Sequence, residues 1–228
     1  MVIKALVSAW RSRAAMRTMH NELMEMLNAT EWMFATVGKA LFDEIEPDAI
    51  SEELYRRDVQ VNKTERKIRR QIVEHLAIDP RGDVPACLVL MSVVKDAERI
   101  GDYCKNLFEV RAVLGKELEH NILHEDARAV HAQILGIFAK TRSALQDADG
   151  DVATEIVHSA KKVGREIEEK VAAVAASDLP VRAAVCRALA LRHMKRIHAH
   201  LCNIATSVVQ PVHKLDYFDE GPLRPPKS

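Results

Sequence analysis

The eight prolines and four of the eight glycines of this 228-residue chain fall at a few places, and the stretches those places bound are far too long for strands. Proline removes a backbone donor and glycine weakens helix interiors, so residues this scarce mark where helices stop. They divide the chain into six helical stretches. The first runs from about Ser8 to Ile45, ahead of Pro47, and the second from Asp48 or Ser51 to Ala77. After Pro80-Arg81-Gly82-Asp83, the clearest loop, a third covers Val84 to Leu114 and stops at Gly115. A fourth spans Glu119 to Asp147, and a fifth follows Asp149-Gly150-Asp151, with Asp151 expected to cap it. The sixth opens at Ser177-Asp178-Leu179-Pro180, with proline in its first turn, and lasts to Pro211.

Composition agrees with an all-α class, since aromatics are only 4% and the 48% hydrophobic content is that of an ordinary globular chain. Glu98-Arg99-Ile100 through Asn106-Leu107 lies over Lys195-Arg196-Ile197 through Asn203-Ile204, which gives an internal repeat of about a hundred residues. Residues 1–115 then form a first three-helix repeat, residues 116–212 a second, and 213–228 a flexible tail. Sequential long helices on short connections pack antiparallel, so two three-helix bundles are expected.

The third stretch reads as a buried helix except for Asp96-Ala97-Glu98-Arg99-Ile100-Gly101-Asp102. At about 100° per residue, Glu98, Asp102 and Asn106 run along one flank of its apolar stripe. Asp58, Asn62 and Glu65 share a face of the preceding helix by the same arithmetic. Like charges at i,i+4 repel, so these lines call for something positive.

The string Asp96 to Asn106 resembles the signature of the PhoU family, close to D-x-E-R-I-G-D-x-x-x-N, and Arg57 to Arg66 resembles the family's preceding helix. The resemblance covers roughly residues 15 to 212, with specific motifs in the first repeat alone. It implies an all-helical regulator of phosphate uptake and phosphate signalling that acts on a phosphate transporter or a sensor kinase rather than as an enzyme. It also implies a divalent or trivalent metal held by Asp58, Asn62, Glu65, Glu98, Asp102 and Asn106. Hard oxygen donors suit magnesium, manganese, calcium or iron, and zinc least.

The second repeat departs from that pattern. Lys195 replaces Glu98, Ala199 replaces Asp102 and His193 replaces Asp96, while His158, Lys162 and Arg165 stand about where Asp58, Asn62 and Glu65 would be. With no acid between Asp178 and Asp216, the residues Lys162, Arg165, Arg192 and Lys195 form a candidate face for an anion or an acidic partner. On the helix projection His193 and His200 fall near the apolar stripe and His198 to one side, so they do not converge on zinc.

Cys87, Cys104, Cys186 and Cys202 are widely spaced without a CxxC and read as small buried apolar residues. Zero formal net charge gives no field for nucleic acid or anionic lipid. No run is long and apolar enough for a membrane span, and no cleavable leader is evident, so a cytoplasmic protein is expected, reaching a membrane only through a partner. Methionines 16, 19, 24, 26 and 33 with Trp10 and Trp32 give the first helix more apolar surface than one bundle needs, which points to a homodimer. A ferritin-like di-metal enzyme is the rival from another class, but Glu22, Glu65 and Glu98 have no histidine at i+3. A metal-free helical adaptor is the third reading.

Overall fold

A computed structural model describes residues 14–42, 44–80, 83–114 and 125–216. It contains six helices: α1 (Ala14–Leu41), α2 (Asp48–Ile78), α3 (Val84–Leu114), α4 (Glu125–Asp147), α5 (Gly150–Ala175) and α6 (Val181–Val209), with a 3-10 turn at Val212–Lys214. No strand occurs among the described residues. The expected helical starts at 8–13 and 119–124, the centre of the loop at 81–82, and the tail 217–228 lie outside them.

The chain runs up, down and up within each half. Met16 meets Cys87, with sulfur atoms 3.9 Å apart, and Cys104 Sγ lies 3.8 Å from the Thr30 carbonyl, so α1 and α3 are parallel. Antiparallel α2 is tied to α1 by Lys67 Nζ on Glu22, 2.7 Å away. The two halves do not stay separate: α3 and α6 make the most extensive helix pair, and one continuous core runs from Met16 to Leu215. Side chains such as Leu27, Phe34, Leu90 and Leu201 are wholly buried in it, each worth roughly 1.5–3 kcal/mol of transfer free energy.

Helix ends differ in detail from the sequence expectation. Asp149, not Asp151, caps α5: its Oδ1 accepts from the Asp151 and Val152 amides at 3.0 and 3.1 Å. Asp151 already lies in the first turn. Ser177 does not open α6 either, since its hydroxyl donates back to the Val174 carbonyl at 2.6 Å and so finishes α5. The segment expected to begin a loose tail is docked, with Leu215 buried and Ser92 Oγ donating to Asp216 Oδ2 at 3.3 Å.

Most of the apolar surplus expected of the first helix is taken up within the fold over its described residues, outside which Trp10 lies. Met16, Met19, Met26 and Met33 are buried, and Trp32 carries the Arg57 guanidinium 4.1 Å above its ring. None of the large exposed apolar side chains among the described residues belongs to α1. α4 returns antiparallel across the C-terminal half of α1 through a close packing at Gly38. His131 stacks on Phe34 with centroids 4.3 Å apart, and its Nε2 lies 2.9 Å from the Phe34 carbonyl. A Cβ on Gly38 would stand 2.1 Å from that ring.

Candidate functional site

The two acidic lines do face each other. α2 runs antiparallel to α3, which sets Asp58 opposite Asp102 and Glu65 opposite Glu98. Gly101 faces this joint, where a Cβ would make only ordinary contacts, 3.9 Å from Asp58 Oδ1 and 3.7 Å from Val61. Asp58 and Glu65 are each 7% exposed, Glu98 and Asp102 less buried, and Asn62 and Asn106 half-buried.

Two lysines of α3 supply the positive charge between the lines. Lys105 Nζ lies 3.1 Å from Asp58 Oδ2 and 3.5 Å from Asp102 Oδ1, bridging the helices. Lys95 Nζ lies 2.7 Å from Glu98 Oε2 and 3.8 Å from Glu65 Oε1, a second bridge about three turns away. Arg99 adds contacts to Glu98 at 3.8 Å and Asp102 at 3.3 Å, and Arg69 reaches Glu65 at 3.3 Å. Burial opposes the charge on Lys105, yet the hydrogen bond and field of Asp58, with Asp102, outweigh it and raise its pKa. Glu65 Oε1 is buried and satisfied by these charges rather than by a hydrogen bond.

Arranged this way, the six residues do not fit a metal cluster. The donors are of the right chemical type, but ammonium groups lie where a cation between the lines would go. Among the described residues, no group of three or more His, Cys, Asp or Glu side chains is gathered closely enough to hold a metal ion. The i,i+3 spacing of Lys95 to Glu98 and of Asp102 to Lys105 was legible in the sequence. Their reach across to α2 was not.

Asp96 belongs to a different constellation. It lies on the opposite side of α3 from Glu98 and reaches the second repeat. Its Oδ1 lies 2.7 Å from His200 Nδ1 and accepts from Asn203 Nδ2 at 3.1 Å. The Tyr103 ring covers His200 and His193 at centroid distances of 5.6 and 5.9 Å. Asp216 closes the end of this cluster, with its pKa raised by burial and by the Asp96 charge, against the Ser92 hydrogen bond and His200. Sequence reasoning aligned Asp96 with His193 across the repeat but could not see that the two helices touch there.

The histidines divide otherwise than on the helix projection. His198, not His193 or His200, is the core residue, at 1% exposure, with its Nε2 3.4 Å from Cys202 Sγ. Burial, aided by the Lys195 charge, lowers its pKa to about 4. All four cysteines are free and buried. Burial pushes the Cys202 thiol up to about 12 and raises the other three, which makes them poor nucleophiles and poor metal ligands.

The basic residues of the second repeat are not gathered on one ligand. Lys195 lies across Gly164 of α5 and ion-pairs with Glu168. Lys162 stands 3.8 Å from Glu166, and Arg165 Nε donates to the Lys161 carbonyl at 3.3 Å. Arg192 is exposed. The α5–α6 joint therefore keeps the polarity of the bridges in the first repeat: α6 brings the cation and α5 the carboxylate, as α3 and α2 do.

Comparison with known proteins bears out the resemblance read from the sequence. Residues 23–110 match the family model of the PhoU domain, so the match covers most of α1, all of α2 and most of α3. The fold is similar to the crystal structure of PhoU from Pseudomonas aeruginosa, with TM-score 0.77 and 22% identity, over 86% of this chain and 96% of that one. It is also similar to that of the phosphate transport system regulatory protein PhoU from Streptococcus pneumoniae, with TM-score 0.69 and 17% identity, over 84% and 93% of the two chains. No curated protein matches the sequence.

Proposed function

We propose that this chain is a PhoU-like regulator of phosphate uptake and phosphate signalling that acts by binding a phosphate transporter or a sensor kinase. The observation that carries the reading is the PhoU domain match over residues 23–110, which spans the paired acidic lines. The likeness of most of the chain's fold to two PhoU structures supports it. No helix among the described residues is long and apolar enough to cross a membrane.

The frame suits a binding role. Lys95 and Lys105 join α2 to α3, and Asp96 joins α3 to α6, so the helices are held in register before any partner arrives. Preorganisation of this kind lowers the ordering cost of association.

The test is deletion of the gene in its host, followed by phosphate uptake measured across external phosphate concentrations. Loss of repression at high phosphate, restored by the wild-type copy, is the expected result. An unchanged uptake curve would refute the regulatory reading and leave the metal-free adaptor, which the lysine bridges equally permit.

A further inference from the structure

The outward side of α6 carries a line of residues that find no partners among the described residues. Val181, Val185 and Leu189 recur at i, i+4 and i+8 and are 81%, 47% and 40% exposed. Arg192 and Arg196 continue the same line, and both are exposed. At about 100° per residue all five fall within about 80° of arc.

The arginines differ from two neighbouring cations of α6. Lys195, beside the line, is engaged by Glu168, and Arg187, on the inner side, by Asp126 at 3.3 Å. Arg192 and Arg196 take part in no ion pair recorded among the described residues, and α6 contains no acid of its own. One helix face thus presents an apolar half followed by a positive half.

We propose that this line is the docking face for an acidic amphipathic segment of a partner protein, helical and about four turns long, since residues 181 to 196 span about 22 Å. Its apolar side chains would cover Val181, Val185 and Leu189, and its carboxylates would pair with Arg192 and Arg196 in the bidentate geometry that guanidinium favours. A second copy of this chain is a poorer occupant, because a twofold contact would set the line against itself and bring no acid to the arginines. A lipid surface is poorer too. An interfacial helix carries a broad face rich in Trp, Phe and Leu with basic residues along its polar side, whereas here two valines, a leucine and the arginines share one narrow line. The inference deepens the regulator reading by naming its contact surface, and rests on that reading for the partner's identity.

The experiment uses the full chain and a synthetic sixteen-residue helical peptide with Leu at i, i+4 and i+8 and Glu at i+11 and i+15, followed by fluorescence anisotropy. Binding should weaken about tenfold or more in Arg192→Glu/Arg196→Glu and in Val185→Asp. It should persist in Arg17→Glu/Lys39→Glu, which changes net charge equally at exposed sites on α1. Melting curves check that each variant folds. Failure of the wild-type chain to bind the peptide, or equal loss in the α1 control, overturns the proposal. So does binding to phosphatidylglycerol vesicles that the α6 substitutions abolish while peptide binding survives, or a wild-type dimer that Val185→Asp turns to monomer. Purified transporter ATPase and sensor-kinase cytoplasmic domains form the second arm. If the peptide binds and neither domain does, the docking face stands and the regulator reading fails.

Discussion

Lys105→Met is the sharpest probe of the bridged acidic lines. Its ammonium lies 3.1 Å from Asp58 and 3.5 Å from Asp102, which at an effective dielectric of about 20 is roughly 5 kcal/mol of attraction per contact before desolvation is subtracted. Breaking a fully buried pair from one side costs about 3–5 kcal/mol. A quarter of the Lys105 side chain remains exposed, at 25%, while Asp58 is at 9%, so a loss of about 2 kcal/mol is expected. Urea denaturation followed by far-ultraviolet circular dichroism reads it directly. Lys140→Met is the comparison, since Lys140 and Glu155 are 49% and 63% exposed and such a pair is worth about 0.5 kcal/mol. The double variant Lys95→Met/Lys105→Met leaves facing carboxylates without their bridging cations. Manganese or magnesium at a hundred times its dissociation constant should then restore about 2.7 kcal/mol, while the wild-type midpoint moves little. A wild-type chain stabilised by these ions as much as the double variant would refute the reasoning, as would a Lys105→Met midpoint no lower than that of Lys140→Met.

Three further outcomes are expected. Gly38→Ala should lower stability by about 3 kcal/mol, because the added carbon would meet the His131 ring at 2.1 Å and that ring is held by Phe34 on both its face and its nitrogen; an unchanged thermal midpoint would show that α4 yields. Asp96→Ala should cost about 2 kcal/mol by leaving His200 and Asn203 without their shared acceptor, and in a double-mutant cycle with His200→Ala the two losses should be markedly less than additive. For pH, the His198 pKa is lowered from 6.5 to about 4 in the folded chain, so between those values the unfolded chain binds the extra proton. Stability should therefore fall as pH drops from about 6.5 towards 4, by up to about 3 kcal/mol from this residue. His131 and His193 are shifted in the same direction by burial. Denaturation midpoints for wild type and His198→Gln across that range check the slope, which should be shallower in the variant.

The helical elements could be read from residue order alone. Sparse glycine and proline delimited six helices, and α3 runs from Val84 to Leu114 as its punctuation indicated. The helical period also placed Asp58 and Glu65 on one line and Glu98 and Asp102 on another, and the need for positive charge between them was legible from like-charge repulsion. Which cation met that need was a tertiary decision. Lys95 and Lys105 are ordinary i,i+3 partners in one dimension, and only the antiparallel register of α2 brings them to Glu65 and Asp58. The same holds where the halves meet. Asp96 looked like a member of the acidic motif because it is adjacent in sequence, but it points away from Glu98, and the packing of α3 on α6 gives it to His200 and Asn203. Periodicity fixes the face on which a side chain stands. What stands opposite depends on how helices distant in sequence pack, and no spacing within one helix carries that information.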